Sequence, residues 1–147
     1  MEHLPSWLLT QTATFAHRLV ADGLGAMGAR GYHHRLLRSL IEDGPASQAD
    51  LGRRTGIHLS DLVGALNELE GTGFVGRSPD PADRRRNVIT VTDRGRERAV
   101  ELAARVDAIQ DELLAPLDAE ERRELVALLG RVLRHHRDRE SGNPEAG

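Results

Sequence analysis

Apolar side chains recur at helical spacing from the start of the chain. Leu8, Phe15 and Leu19, with Thr12 between them, form one stripe, which predicts a helix over 6–22 capped by Ser6. Gly23, Gly25, Gly28 and Gly31 predict a loose connection, and Leu36, Leu37, Leu40 and Ile41 a second helix over 31–42. Gly44-Pro45 stops that helix. Ser47, with Asp50 three residues on, opens a short third one that ends near Gly56, where glycine suits a left-handed terminus. Ile57, Leu62, Leu66 and Leu69 share a face of a fourth helix at about 58–70. The period then changes. Residues 74–77 and 88–91 are rich in strand formers and bracket a polar loop that holds Pro79, Pro81 and three consecutive arginines. Thr92-Asp93 opens a long helix to about 114, with Ala99, Leu102, Ala103, Val106, Ile109 and Leu113 as its stripe. Pro116 breaks it, and Asp118 caps a last helix to about 136 with Leu125, Leu128, Leu129, Val132 and Leu133 on one side. The polar segment 138–147 reads as a flexible tail.

The fold class is therefore mainly α with a small β-hairpin. The short helix and its close successor have the spacing of a helix-turn-helix, and the trailing hairpin makes it winged. At 147 residues the chain has room for one domain, or for a small domain with an appended dimerisation element. Apolar residues make up 39% and charged residues 29%, the balance of a folded soluble protein, and no apolar run is long enough for a membrane span. The opening Met1-Glu2-His3-Leu4-Pro5 carries no basic stretch before a long apolar one, so the expected location is the cytoplasm. Cysteine is absent, which removes disulfides, thiol nucleophiles and thiolate metal sites. His33-His34 and His135-His136 are adjacent pairs whose side chains diverge on a helix, so neither chelates alone, and no metal or other cofactor is expected.

All 20 basic residues are arginine, and the net charge of −3 argues against indiscriminate coating of nucleic acid. The distribution changes the picture. Residues 76–98 carry seven arginines against four acids (+3), whereas 47–75 carry two against four (−2) and 99–147 seven against eleven (−4). The basic segment is the hairpin and its surroundings. Arg84, Arg85 and Arg86 between prolines present guanidinium groups on a stiffened tip, suited to the negative potential of a narrow minor groove. Asp83 is placed to accept a charge-assisted bond from Arg85.

Residues 47–98 resemble the MarR family of bacterial winged-helix regulators. The likeness is carried by Leu69-Glu70-Gly71-Thr72-Gly73-Phe74-Val75, by Arg77-Ser78-Pro79-Asp80-Pro81-Ala82-Asp83-Arg84-Arg85, and by Ile89-Thr90-Val91-Thr92-Asp93-Arg94-Gly95, with Val91 where leucine is usual. The helix order extends the likeness to roughly 5–137. The resemblance implies a single domain over 1–137, with a winged core at about 44–93 between dimerisation helices at about 6–22 and 94–136. It implies a homodimer that binds a palindromic operator, and it assigns Arg85 to the minor groove with Asp83 as its orienter. Arg84, Arg86 and Arg77 join them as DNA-contact residues. The fourth helix becomes the reading helix, offering Ser60, Asp61 and Asn67, with His58 at its start, and Arg53 and Arg54 become phosphate contacts. No arginine lies between 55 and 76, so this helix departs from the usual arginine–guanine contact.

In relatives an anionic aromatic ligand sits between the dimerisation helices and the winged domain. Here Trp7, His17, Tyr32, His33 and Arg38 are the expected lining of one such cavity. The function expected is a ligand-responsive DNA-binding regulator, a repressor. The alternative is a winged-helix module that binds a protein and has little affinity for DNA. No phosphate loop, nucleophile elbow or catalytic carboxylate–histidine spacing points to an enzyme.

Overall fold

In the computed structural model, which describes residues 2–142, eight elements follow one another in the expected order. They are α1 (Pro5–Gly25), α2 (Gly31–Asp43), α3 (Gln48–Thr55), α4 (Leu59–Gly71), β1 (Val75–Pro79), β2 (Asn87–Val91), α5 (Asp93–Leu113) and α6 (Ala119–Ser141). The chain divides into two compact units, one through Gln110 and one from Asp111 onward.

The first unit is built around α2. Its Leu36, Leu37 and Leu40 are buried with Leu51 of α3, Leu62, Ala65, Leu66 and Leu69 of α4, Val75 and Ile89 of the hairpin, and Leu102 and Ile109 of α5. Each fully buried leucine contributes about 1.5–3 kcal/mol of transfer free energy. The helix-turn-helix is held by local chemistry. Ser47 Oγ accepts from the Asp50 N–H at 3.2 Å, and Gly56 closes α3 at φ 67°, a left-handed position suited to glycine. The hairpin is antiparallel, paired from Val75↔Val91 to Pro79↔Asn87. Ala46 joins it from the other side by exchanging two backbone bonds with Ile89, at 2.8 and 3.2 Å. This bridge ties the base of the wing to the entrance of α3.

Several boundaries differ from those expected. The cap of α1 is Leu4, with no side-chain bond, and Pro5 occupies the first turn, where its missing N–H costs nothing; Ser6 already lies inside the helix. Gly23 and Gly25 do not form a loose connection but continue α1. A methyl at Gly23 would strike Ile109 Cδ1 at 2.5 Å, so the glycine lets α5 cross closely. Arg105 Nε donates to the Gly23 carbonyl at 3.2 Å, and Arg98 donates to the Met27 carbonyl, so α5 also supplies donors to the end of α1.

Thr92 opens α5 as expected. Its Oγ1 accepts from the Gly95 N–H at 3.0 Å and donates to the Gly73 carbonyl at 2.6 Å. A methyl on Gly95 would overlap the Phe74 carbonyl oxygen, a backbone atom that cannot turn away. Gly95→Ala is expected to destabilise the unit by about 2–3 kcal/mol through overpacking, measured as a lower urea midpoint at unchanged slope.

In the second unit, Asp118 and Glu121 form a reciprocal capping box at the start of α6. Arg122 donates to the Leu117 carbonyl at 3.0 Å and pairs with Asp111 at 2.8 Å. The helix runs to Ser141, past the point where a flexible tail was expected, because Arg137, Asp138, Arg139 and Glu140 are competent helix formers or neutral to the helix; residues 143–147 of that tail lie outside the described residues. No residue of α6 is buried. Leu128, Leu129, Val132 and Leu133 stand 39–50% exposed along one face. Among the described residues no helix is long and apolar enough to cross a membrane.

Candidate nucleic-acid interface

Buried Leu62, Ala65, Leu66 and Leu69 fix the rotation of α4. At about 100° per residue, Ser60, Gly64, Asn67 and Gly71 fall on the opposite side, with Val63 beside them. His58 is the N-cap, and its Nδ1 lies 3.0 Å from Ser60 Oγ. The two acids of this helix that face α2 are drawn away from that outer side. Tyr32 Oη donates to Asp61 Oδ2 at 3.4 Å. Glu68 is held by Arg30 and by His33, whose Nε2 lies 2.7 Å from Oε2. His33 Nδ1 accepts the Arg30 N–H at 3.3 Å, which leaves Nε2 to carry the hydrogen given to Glu68. Glu68 therefore secures α4 to the start of α2, with its carboxylate turned from the outer side of the helix.

The Arg30 hydrogen bond holds the Glu68 carboxyl below its usual value of 4.5. A depressed folded value favours the folded state above the unfolded value, and that stabilisation is lost as pH falls through the lowered one. Glu68→Gln is therefore expected to cost at most about 1 kcal/mol at neutral pH, given solvent screening. It is also expected to flatten the loss of stability below about pH 4.5. Denaturant titrations at pH 7 and pH 4 on both proteins check this.

The wing loop, 80–86, is stiffened by its own side chains. Asp80 Oδ1 accepts the Ala82 N–H at 2.9 Å, Asp83 Oδ1 accepts the Arg85 N–H at 3.1 Å, and the Asp80 N–H reaches the Arg86 carbonyl at 2.8 Å. Asp83 Oδ1 also accepts from Arg85 Nε at 3.2 Å. The Arg85 side chain is 91% exposed, and Arg84 is exposed beside it. Arg86 behaves differently from its neighbours: its Nη2 donates to Ser47 Oγ at 3.2 Å, which fastens the wing to the start of α3.

The remaining expected contacts are distributed unevenly. Arg53 pairs with Asp50, and Arg54 donates to the Gly44 carbonyl at 3.0 Å; both stay exposed on α3. Arg77 is not a free cation. Its Nε pairs with Glu70 at 2.6 Å and its Nη2 donates to Asn67 Oδ1 at 3.0 Å. Arg77 thus bonds directly to Asn67, the other expected DNA contact, and is held at its second end by Glu70, which sequence reasoning missed although it stands in the motif that carried the family likeness.

The five expected effector residues are not gathered into one cavity. His33 lines a cleft of about 390 Å³ with Glu68, Phe74 and Arg98. Arg38 lines another of about 550 Å³ between α2 and α5, with His34 and Arg96, and Trp7 and His17 belong to neither. Tyr32 turns to Asp61. The physical reason is the rotation of α2: Leu36, Leu37 and Leu40 fix it, and His33 and Arg38 then leave on different sides.

Two helices joined by a tight turn, followed by a two-stranded wing, define a winged helix-turn-helix domain. The sequence pattern of the MarR family matches residues 22–86. The chain is 35% identical over 97 residues to the uncharacterized HTH-type transcriptional regulator YdgJ of Bacillus subtilis, a match over 66% of this chain and 59% of that protein. Matches to three curated relatives span between 49% and 61% of their lengths. Among solved structures, that of a probable transcriptional regulator from Pseudomonas aeruginosa is 31% identical, with a TM-score of 0.78 over 89% of this chain and 98% of that one. BpsR of Bordetella bronchiseptica, whose DNA binding is regulated by 6-hydroxynicotinic acid, shares the fold at 23% identity, with a TM-score of 0.79 over 90% of this chain and 94% of its own. The chain belongs to the MarR family.

Proposed function

We propose that this protein is a sequence-specific transcriptional repressor that grips a palindromic operator as a homodimer and responds to a small anionic aromatic effector. The observation that carries this is the wing tip, where Asp83 orients a fully projecting Arg85 on a loop already stiffened by two aspartate turns. A preordered guanidinium loses little entropy on entering a narrow minor groove. The winged core at about 44–93 presents that tip and the outer face of α4 together, and Arg84, Arg53 and Arg54 add exposed positive charge for phosphates. A second copy is called for by the uncovered apolar face of α6 and by Leu8, Leu9 and Phe15 of α1, each at least 45% exposed. The dimerisation helices are accordingly α1, α5 and α6, and a twofold dimer gives the two heads a palindrome requires. A repressor working on chromosomal promoters acts in the cytoplasm.

For the effector, the cleft between α2 and α5 is the better site. Arg96, and Arg38 paired with Glu42 at 2.7 Å, face apolar Ile41, Ala99 and Ala103 there, with His34 and Asp107 also in the lining. Burial, and then nearby Arg38, hold the His34 imidazole below its usual value of 6.5. Arginines beside apolar walls suit a carboxylate on an aromatic ring. BpsR supports the expectation that such a ligand controls DNA binding. The ligand shifts affinity only if it binds one spacing of the heads better than the other.

The test is an anisotropy titration of the labelled intergenic duplex upstream of the coding region. Saturation is expected below about micromolar dimer, with affinity falling by a log–log slope of about −0.9 per phosphate neutralised as salt rises. Absence of binding both to this duplex and to a randomised pool would favour a protein-binding winged helix.

A further inference from the structure

Asn67 is the one amide on the outer side of α4, and its orientation is set from outside the helix. Arg77 Nη2 lies 3.0 Å from Asn67 Oδ1. A guanidinium carries donors only, so the amide atom facing it is the oxygen, whichever way the amide is first drawn. Arg77 is itself fixed at a second point, since its Nε pairs with Glu70 Oε2 at 2.6 Å and its side chain is 27% exposed. With Oδ1 turned toward β1, Nδ2 points away from it, exposed and without a partner among the described residues.

Asparagine usually reads adenine with both amide atoms, accepting from N6 and donating to N7. Here Arg77 takes one lone pair of Oδ1 and holds that oxygen turned toward β1, so the amide group left facing outward is the donor. We infer that Glu70 and Arg77 preset Asn67 as a hydrogen-bond donor toward DNA, so that one position of each half-site selects guanine over adenine. Guanine is the base whose major-groove edge offers two neighbouring acceptors, N7 and O6, and no donor, so an amide hydrogen finds a partner anywhere along it. Adenine N6 and cytosine N4 would present a donor to a donor, while adenine N7 and thymine O4 each offer a single acceptor. This gives a reading helix without arginine a route to guanine. The inference rests on the proposal that α4 enters the major groove. Arg77 acts in it as a positioning residue, and Asn67 is the residue that touches the base.

The test is selection from a duplex pool with randomised positions, using the full chain as wild type, Asn67→Asp and Arg77→Met, with thermal melting as a check on folding. Wild type is expected to enrich guanine at one symmetric pair of positions by about tenfold over adenine. Asn67→Asp keeps the shape and the Arg77 bond but presents an acceptor, so its choice is expected to move to cytosine or adenine. Arg77→Met frees the amide to turn, and the guanine preference is expected to fall to near parity with adenine. Should Arg77→Met not fold, Asn67→Asp alone decides, because its side chain is exposed and isosteric. The inference is overturned if wild type enriches adenine there, or if the folded variants choose the same base as wild type. A wild-type pool enriched in nothing overturns the DNA-binding proposal itself, a different result from enrichment without dependence on Asn67.

Discussion

Arg85→Ala is expected to weaken operator binding by about a hundredfold or more at moderate salt, with the melting temperature unchanged. The two halves of that expectation come from the same geometry. Arg85 is 91% exposed, and among the described residues its only side-chain bond is to Asp83 on the same loop, so the folded state loses almost nothing. In the complex, a bond from a charged donor is worth about 1.5–3 kcal/mol. A dimer carries two wings, far enough apart for their losses to add. Arg85→Lys keeps the charge without the planar fork and is expected to recover only part of the affinity. Anisotropy titrations across a salt series measure both. The salt slope should become shallower for alanine and stay near the wild-type value for lysine.

Leu129→Asp combined with Val132→Asp is expected to halve the sedimenting mass and to reduce affinity for a full palindrome by roughly 10²- to 10⁴-fold, the loss that follows when two tethered heads become independent. Both residues stand exposed on the apolar face of α6, a helix with no buried residue. Carboxylates there disturb nothing within the chain but cannot be desolvated at low cost in a dimer. The winged core belongs to the other compact unit, so its fold and its affinity for a single half-site should survive. Sedimentation velocity paired with half-site and full-site titrations distinguishes this from global unfolding.

The elements were legible wherever a periodic stripe met a stereochemical stop. Leu62, Leu66 and Leu69 placed α4, and Gly56 ended α3 because a left-handed residue was needed there. The glycines were less informative when their purpose was contact. Gly23 looks like a breaker in the sequence, yet it stays helical because Ile109 needs the space. The wing tip was legible for a local reason, since Asp83 and Arg85 are two residues apart and meet within one turn.

The polar cross-links were not legible. Arg30 and Glu68 are 38 residues apart and Ser47 and Arg86 are 39 apart; pairs between separate elements leave no period in the chain. Arg86 and Arg77 were therefore grouped with the projecting arginines, although one fastens the wing and the other orients Asn67. The expected effector residues divide between separate clefts for a related reason. Scarce aromatics and histidines near one end of the chain say nothing about which side of its helix each one occupies.

Hydroxyl-radical footprinting of the selected operator, with wild type and Arg85→Ala side by side, tests most directly whether paired wings grip a duplex. Wild type should protect two minor-groove patches placed symmetrically about the centre of the site, and Arg85→Ala, at a concentration that restores occupancy, should lose both patches together. A single asymmetric patch, or flanking protection that is the same in the two proteins, would contradict the account.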